Sequence, residues 1–85
     1  MSKRQKLLAK LLAGPKNIAF NEFILLLEGY GFELDRTRGS HRIYAHPNVS
    51  QLLSIQPRHD GKAKPYQLQQ FLKLIEEYNL KLAED

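Results

Sequence analysis

The chain contains no cysteine. Neither a disulfide framework nor a thiolate metal site can hold it together, a composition that suits a reducing cytosol. It also lacks a long apolar run. The N-terminal segment Met1-Ser2-Lys3-Arg4-Gln5-Lys6-Leu7-Leu8-Ala9-Lys10-Leu11-Leu12-Ala13 imitates a signal peptide in its basic start. Lys10, however, interrupts the leucines, and what remains is too short for the apolar core of a leader or for a membrane span. The segment reads as an amphipathic helix of a soluble, cytoplasmic protein. There is no low-complexity tract, no Walker loop, no GxGxxG, no zinc ribbon and no Ser-His-Asp set with an acid placed to be buried. Gly14-Pro15 and Gly29-Tyr30-Gly31 are punctuation, not nucleotide-binding loops.

Acidic residues are scarce in the middle of the chain. Between Arg36 and Lys64 stand six Lys/Arg and three His against one acid, Asp60, whereas the last ten residues carry four acids and one Lys. The net charge is +4 over 85 residues. Such a distribution describes a surface for an anionic partner built from the middle of the chain, or a solvated basic face. The length makes one small domain, residues 1–85, which buries roughly 60% of its unfolded surface and is modestly stable.

Hydrophobic spacing gives the element order. Leu7, Leu8, Leu11 and Leu12 form one side of a helix over about 3–12, with Lys3, Lys6 and Lys10 on the other. Packing on the core is the expected role of the leucines, ahead of an adaptor surface for another protein. Gly14-Pro15 stops the helix. Phe23, Leu26, Leu27 and Tyr30, spaced i, i+3, i+4, i+7, predict a second helix over about 20–29, widened by Ile24 and Leu25, with Gly29 or Gly31 as the left-handed residue that ends it. Three strands follow, at about 32–37, 41–46 and 50–56, separated by Thr37-Arg38-Gly39-Ser40 and His46-Pro47-Asn48. Pro65 suits the first position of a last helix, reaching about residue 82, whose stripe is Leu68, Phe71, Leu72, Ile75 and Tyr78. The fold class is α+β in two layers: α-β-β-β-α over 17–82 plus an extra N-terminal helix, with helices on one face of a three-stranded antiparallel sheet.

The histidines His41, His46 and His59 are the candidates for chemistry. His41 and His46 are five residues apart, and on a strand an odd offset sends them to opposite faces, so a structural zinc site does not fit. No cofactor is expected. His41 follows a Gly-Ser turn and is bracketed by Arg38 and Arg42. Cleaving RNA without a metal requires removal of a 2′-OH proton, stabilisation of a crowded anionic phosphate and protonation of the leaving oxygen. A histidine among arginines supplies these functions. A plain surface histidine in a strand is the other reading, and the residues alone leave both open. Parity places Ile43 and Ala45 toward the helices and Arg42, Tyr44 and His46 on the free face, with His41 at the sheet's end. Tyr44 would then stack on a base or simply cover sheet surface. Arg58, His59, Lys62 and Lys64 form a basic loop leading to a helix N-terminus, either phosphate contacts or a solvated loop.

Taken together, Gly31-Phe32, Gly39-Ser40-His41-x-Ile43-Tyr44-x-His46-Pro47, Pro57-Arg58-His59-x-Gly61-Lys62 and Lys64-Pro65 resemble the HicA family of toxin–antitoxin toxins, over about residues 17–78. The resemblance implies a fold similar to a double-stranded-RNA-binding domain and an endoribonuclease (mRNA interferase) that cuts mRNA and halts translation. It also implies a HicB-type antitoxin that covers the active site. By motif position His41 would be the catalytic histidine. Arg58, His59 and Lys62 fall in the family's second basic element. The RNA-binding set is then Arg38, Ser40, Arg42, Tyr44, Arg58, His59, Lys62 and Lys64. Two departures stand out. Asp60 replaces the glycine of many members and predicts weaker RNA binding by this loop. The helix over 3–12 precedes the part common to shorter members and predicts a larger antitoxin or self-association surface. A non-catalytic RNA-binding module of the same fold is the alternative.

Overall fold

A computed structural model describes residues 2–83. Met1, Glu84 and Asp85, the last two being among the four acids of the terminal ten residues, lie outside the described residues.

Helix α1 (Lys3–Ala13) begins at a capping box that the sequence carries as Ser-x-x-Gln. Ser2 Oγ accepts the Gln5 backbone N–H and Gln5 Oε1 accepts the Ser2 N–H, each at 3.1 Å. Leu7 and Leu11 enter the core and Leu8 packs at its margin, but Leu12 is 65% exposed. The four-leucine face is therefore narrower than expected: α1 packs on α2 and the following 3₁₀ turn through its Leu7–Leu11 line, which leaves Leu12 outside the contact. A short 3₁₀ turn, Pro15–Asn17, leads to helix α2 (Phe20–Gly29). Ala19 has no side-chain oxygen for the N-cap. Glu22 instead reaches back to the Ala19 N–H at 2.9 Å and bonds Lys10 Nζ at 3.2 Å, tying α2 to α1.

Phe23, Leu26, Leu27 and Tyr30 are all buried, as their spacing predicts. At the end of α2 the Gly31 N–H donates to Glu28 O and the Phe32 N–H to Leu27 O, both at 3.0 Å, with Gly31 at φ 95°. This Schellman motif makes Gly31 the left-handed residue. Gly29 is helical, and its missing side chain serves packing: a Cβ there would stand 2.7 Å from both Arg4 Cδ and Leu82 Cδ1.

Helix α3 (Pro65–Glu77) ends short of the expected residue 82 in a second Schellman motif. Asn79 takes φ 52°, its N–H reaches Glu76 O at 3.3 Å, and the Leu80 N–H reaches Ile75 O at 2.9 Å. The chain then turns back, and the Ala83 N–H meets Gly29 O at 2.7 Å. Among the described residues no helix is long and apolar enough to cross a membrane. Phe71 of α3 is the hub of the core, with ring centroids 5.4 Å from Phe23, 5.6 Å from Tyr30 and 6.1 Å from Phe32.

The strands β1 (Glu33–Arg38), β2 (His41–His46) and β3 (Val49–Ile55) form an antiparallel sheet in the order β1-β2-β3, within a residue of the expected bounds. The fold is thus the expected α+β, double-stranded-RNA-binding-domain-like arrangement. One expectation is reversed. Tyr44 pairs with Leu53 and Arg42 with Ile55. Directly opposed residues project to one side of a sheet, and Tyr44, Leu53 and Ile55 all belong to the buried core. The phase Arg42-Tyr44-His46 therefore faces the helices, and His41-Ile43-Ala45 the uncovered side. Ile43 is nonetheless buried, because it sits on the central strand between Arg36 and Ser54, its partners on either side.

Candidate nucleic-acid interface

The end of the sheet that carries His41 is shaped by a two-residue turn. Arg38 and His41 are directly paired, leaving Gly39 and Ser40 as the connection. Gly39 has φ 60°, whereas Asn79 is the one non-glycine among the described residues with positive φ. Positive φ at the first turn residue alone is the type II′ pattern, whose twist matches a right-twisted hairpin and which calls for Gly first. On the uncovered face the pairing sets Arg38 beside His41 and Arg36 beside Ile43. Arg36 is partly engaged by Asp35 at 3.3 Å. The His41 side chain is exposed and makes no hydrogen bond among the described residues, so both ring nitrogens are open to a ligand.

Ser40 is held from just beyond the end of β3: Gln56 Nε2 donates to Ser40 Oγ at 2.8 Å. The Gln56 backbone N–H is in turn taken by Gln67 Oε1 of α3 at 3.1 Å, and Gln67 is a buried polar residue.

Arg42 and Tyr44 are not on the face expected of them. Arg42, an exposed residue on the covered phase, sets its guanidinium over the Phe20 ring, with Cζ 5.5 Å from the ring centroid. Tyr44 is only 3% exposed and cannot stack on a base. His46, on the covered phase as well, is fully occupied. The Asn48 N–H donates to its Nδ1 at 3.0 Å, which leaves Nε2 to carry the proton donated to Tyr30 O at 2.9 Å. Its ring also packs edgewise on Phe32 at 5.1 Å. The opposite placement of His41 and His46 is as the odd offset predicts. Beside His46 lies a shallow groove of about 400 Å³ lined by Gly31, Glu33, Leu34, Asp35, Ala45 and Pro47.

The basic loop is a tight structure of its own. The Arg58 N–H meets Lys62 O at 2.8 Å and the Gly61 N–H meets Arg58 O at 3.0 Å, with Gly61 at φ 82°. It is stitched to the start of α2 through Phe20 N–H to Gly61 O at 3.0 Å and Ala63 N–H to Ile18 O at 2.8 Å. Asp60 organises it, accepting the Lys62 N–H at 3.1 Å and pairing with Arg58 Nη2 at 3.1 Å. The Lys62 N–H bond, then the charges of Arg58, His59 and Lys62, hold the Asp60 carboxyl below the usual carboxylate range. Lys62 Nζ reaches Asn17 Oδ1 at 3.3 Å, while His59 is exposed and Lys64 occupies the N-cap of α3. Arg58 follows Gln56 by two residues, so the loop departs from the same sheet end as the Gly39-Ser40 turn.

Of the expected residues, the structure thus gathers Arg38, Ser40 and His41 at one hairpin end, with Arg58, His59, Lys62 and Lys64 in the adjoining loop. It sets Tyr44 in the core and Arg42 at the covered edge. Sequence reasoning passed over Gln56, Gln67 and Tyr66. Tyr66 is 63% exposed in the first turn of α3. Its position outside the Leu68–Phe71 stripe was a readable sign of that exposure. Two lone glutamines give no such sign. Among the described residues no three His, Asp or Glu side chains lie where one metal ion could bind them.

A search of curated proteins and a search of solved structures returned no match. A family model described as the HicA toxin of bacterial toxin–antitoxin matches residues 20–76. That span runs from the first residue of α2 into the last turn of α3 and contains the hairpin, the basic loop and the whole sheet. With most of its length so matched, including every element that positions His41, the chain belongs to the HicA toxin family.

Proposed function

We propose that this toxin is a metal-independent endoribonuclease that cuts mRNA and so halts translation, with His41 as general acid/base. The observation that carries the reading is the Arg38–His41 pair on the uncovered face, at the tip of a type II′ hairpin. An uncommitted imidazole can take the 2′-OH proton as that oxygen attacks phosphorus, and then return it to the departing 5′-oxygen. The guanidinium alongside neutralises the extra negative charge on the phosphate as it becomes five-coordinate. The turn's small residues let the backbone come close to a phosphate. Arg58, His59, Lys62 and Lys64 extend the positive surface along which RNA lies. Tyr44, buried, is withdrawn from the RNA-binding set, and Arg42 contributes from the edge.

The protein acts in the cytoplasm, where its mRNA substrate is. A HicB-type antitoxin neutralises it by covering the face that bears Arg38 and His41.

Incubating purified protein with labelled RNA tests this. Cleavage that persists in EDTA and vanishes in His41→Ala supports it, as does growth arrest by the wild-type chain with tolerance of His41→Ala at equal abundance. An equally toxic His41→Ala protein removes the histidine from the chemistry. RNA that is shifted but never cut makes the chain a binding module instead.

A further inference from the structure

We infer that Gln56 and Gln67 are positioning residues for His41. Gln67 Oε1 grips the Gln56 backbone N–H, and Gln56 Nε2 grips Ser40 Oγ, the hydroxyl next to the histidine. The inference rests on the proposed role of His41.

The relay exists because β3 ends early. The β2–β3 ladder pairs Arg42 with Ile55, and one further step would set Gln56 against His41. Because Arg38 and His41 close the two-residue turn as a hydrogen-bonded pair, Arg42 bonds Ile55 and the Gln56 N–H points away from β2, where Gln67 takes it at 3.1 Å. Pro57 has no N–H with which to continue the ladder. The backbone of the turn is thus hydrogen-bonded on the β1 side only, through Arg38 and His41. A two-residue turn at a sheet corner, paired along one edge, is free to fray. The Gln56 side chain restores the lost edge by reaching across to Ser40 at 2.8 Å.

The anchor is firm at its far end. Gln67 is 4% exposed, between Lys64 at the helix cap and the core residue Leu68. The tether also sets the chemistry of Ser40. An amide nitrogen only donates, so Ser40 Oγ accepts and its own proton stays available for a phosphate oxygen. Holding the turn then holds both a donor to phosphate and the proton-transferring ring, the kind of alignment in which a displacement of about 1 Å costs up to about a hundredfold in rate.

The test uses Gln56→Met, which keeps the backbone N–H and the side chain's length while removing the donor. Cleavage should fall about tenfold in kcat with KM within about twofold, since binding surface is retained and alignment lost. In a Ser40→Ala background the same change should cost nothing further, because the tether is already gone. Backbone amide relaxation should show Ser40 and His41 passing from rigid order parameters of about 0.85 to below about 0.6 in Gln56→Met. Gln67→Met should reproduce these effects. If that variant misfolds for want of its core amide, Gln56→Met alone decides. A rise confined to KM, full additivity with Ser40→Ala, or a turn as rigid as in the wild type would overturn the inference. Should the wild-type chain cut no RNA, the proposed activity fails on its own, and the relaxation measurement still decides whether the glutamines order the turn.

Discussion

Tyr44 and Leu53 oppose each other across β2 and β3 beneath the helices, 3% and 0% exposed. That one contact sets the phase of the central strand. It sends His41 to the uncovered side and turns Tyr44 from a candidate RNA contact into a core residue. Replacing Tyr44 with Ala should destabilise the fold by about 3 kcal/mol, the range for truncating a buried aromatic. Urea titration would measure it. RNA affinity of the folded fraction should stay as in the wild type, and a selective loss of RNA binding at unchanged stability would return Tyr44 to the surface.

The two β2 histidines should part company on mutation. His41→Ala removes an exposed ring and should change stability by less than about 0.5 kcal/mol while abolishing cleavage. His46→Ala strips both the Asn48 N–H and Tyr30 O of their partners. It should cost about 1–2 kcal/mol, the scale for orphaning the part-buried Tyr30 carbonyl, since the exposed Asn48 N–H finds water instead. Parallel thermal melts and RNA cleavage assays separate the two. Equal stability losses would contradict the assignment of His46 to structure.

Asp60 tempers the basic loop. Asp60→Asn keeps an acceptor for the Lys62 N–H and releases Arg58 from its 3.1 Å ion pair. RNA binding should tighten at low salt, and the slope of log K against log salt should steepen by about 0.7, one more phosphate contact on a single strand. Filter binding over a salt series checks it, and an unchanged slope would mean Arg58 does not meet phosphate.

Acid should loosen the same loop. The folded chain holds the Asp60 carboxyl below its ordinary value of 3.8, so this group supports the fold above that pH and loses its contribution as pH falls through the depressed value. Glu22 behaves alike. Its pKa is lowered from 4.5, first by the Ala19 N–H bond and then by Lys10. Melting temperatures should therefore decline below about pH 4. Asp60→Asn and Glu22→Gln should each flatten that decline, and an unaltered acid limb in both would put the lability elsewhere.

Gly31→Ala should be among the most damaging single changes. A Cβ there meets a φ of 95° and lies 2.9 Å from His46 Nε2. Strain of about 1–2 kcal/mol from the backbone adds to displacement of the His46 ring. Gly39→Ala, with φ 60° but nothing within 4 Å, carries the backbone term alone. Denaturant midpoints should rank the two, and a milder Gly31→Ala would show that the ring yields freely.

Much of the architecture was legible because local rules and burial agree. Phe23, Leu26, Leu27 and Tyr30 repeat with helical spacing and are buried, and Gly39-Ser40 and Pro47-Asn48 stand where the hairpins turn. The phase of β2 was misread because Ile43 and Tyr44, adjacent and both apolar, compete for the core. The signal that decides between them was present: a two-residue turn at Pro47-Asn48 pairs even residues of β2 with odd residues of β3, and Leu53 and Ile55 are the apolar ones. Leu12 and the end of α3 escaped for another reason. Periodicity says which residues share a face, not how far a neighbour covers it, nor that Asn79 will accept positive φ.

The order of elements, the turns, the basic middle of the chain and the family motif around His41 follow from the sequence alone, since each rests on residues close together along the chain. Which face His41 occupies, the burial of Tyr44, the choice of Arg58 as the ion-pair partner of Asp60 and the Gln67–Gln56–Ser40 relay were decided by tertiary structure. Each depends on strand register or on a hydrogen bond whose geometry no linear spacing encodes.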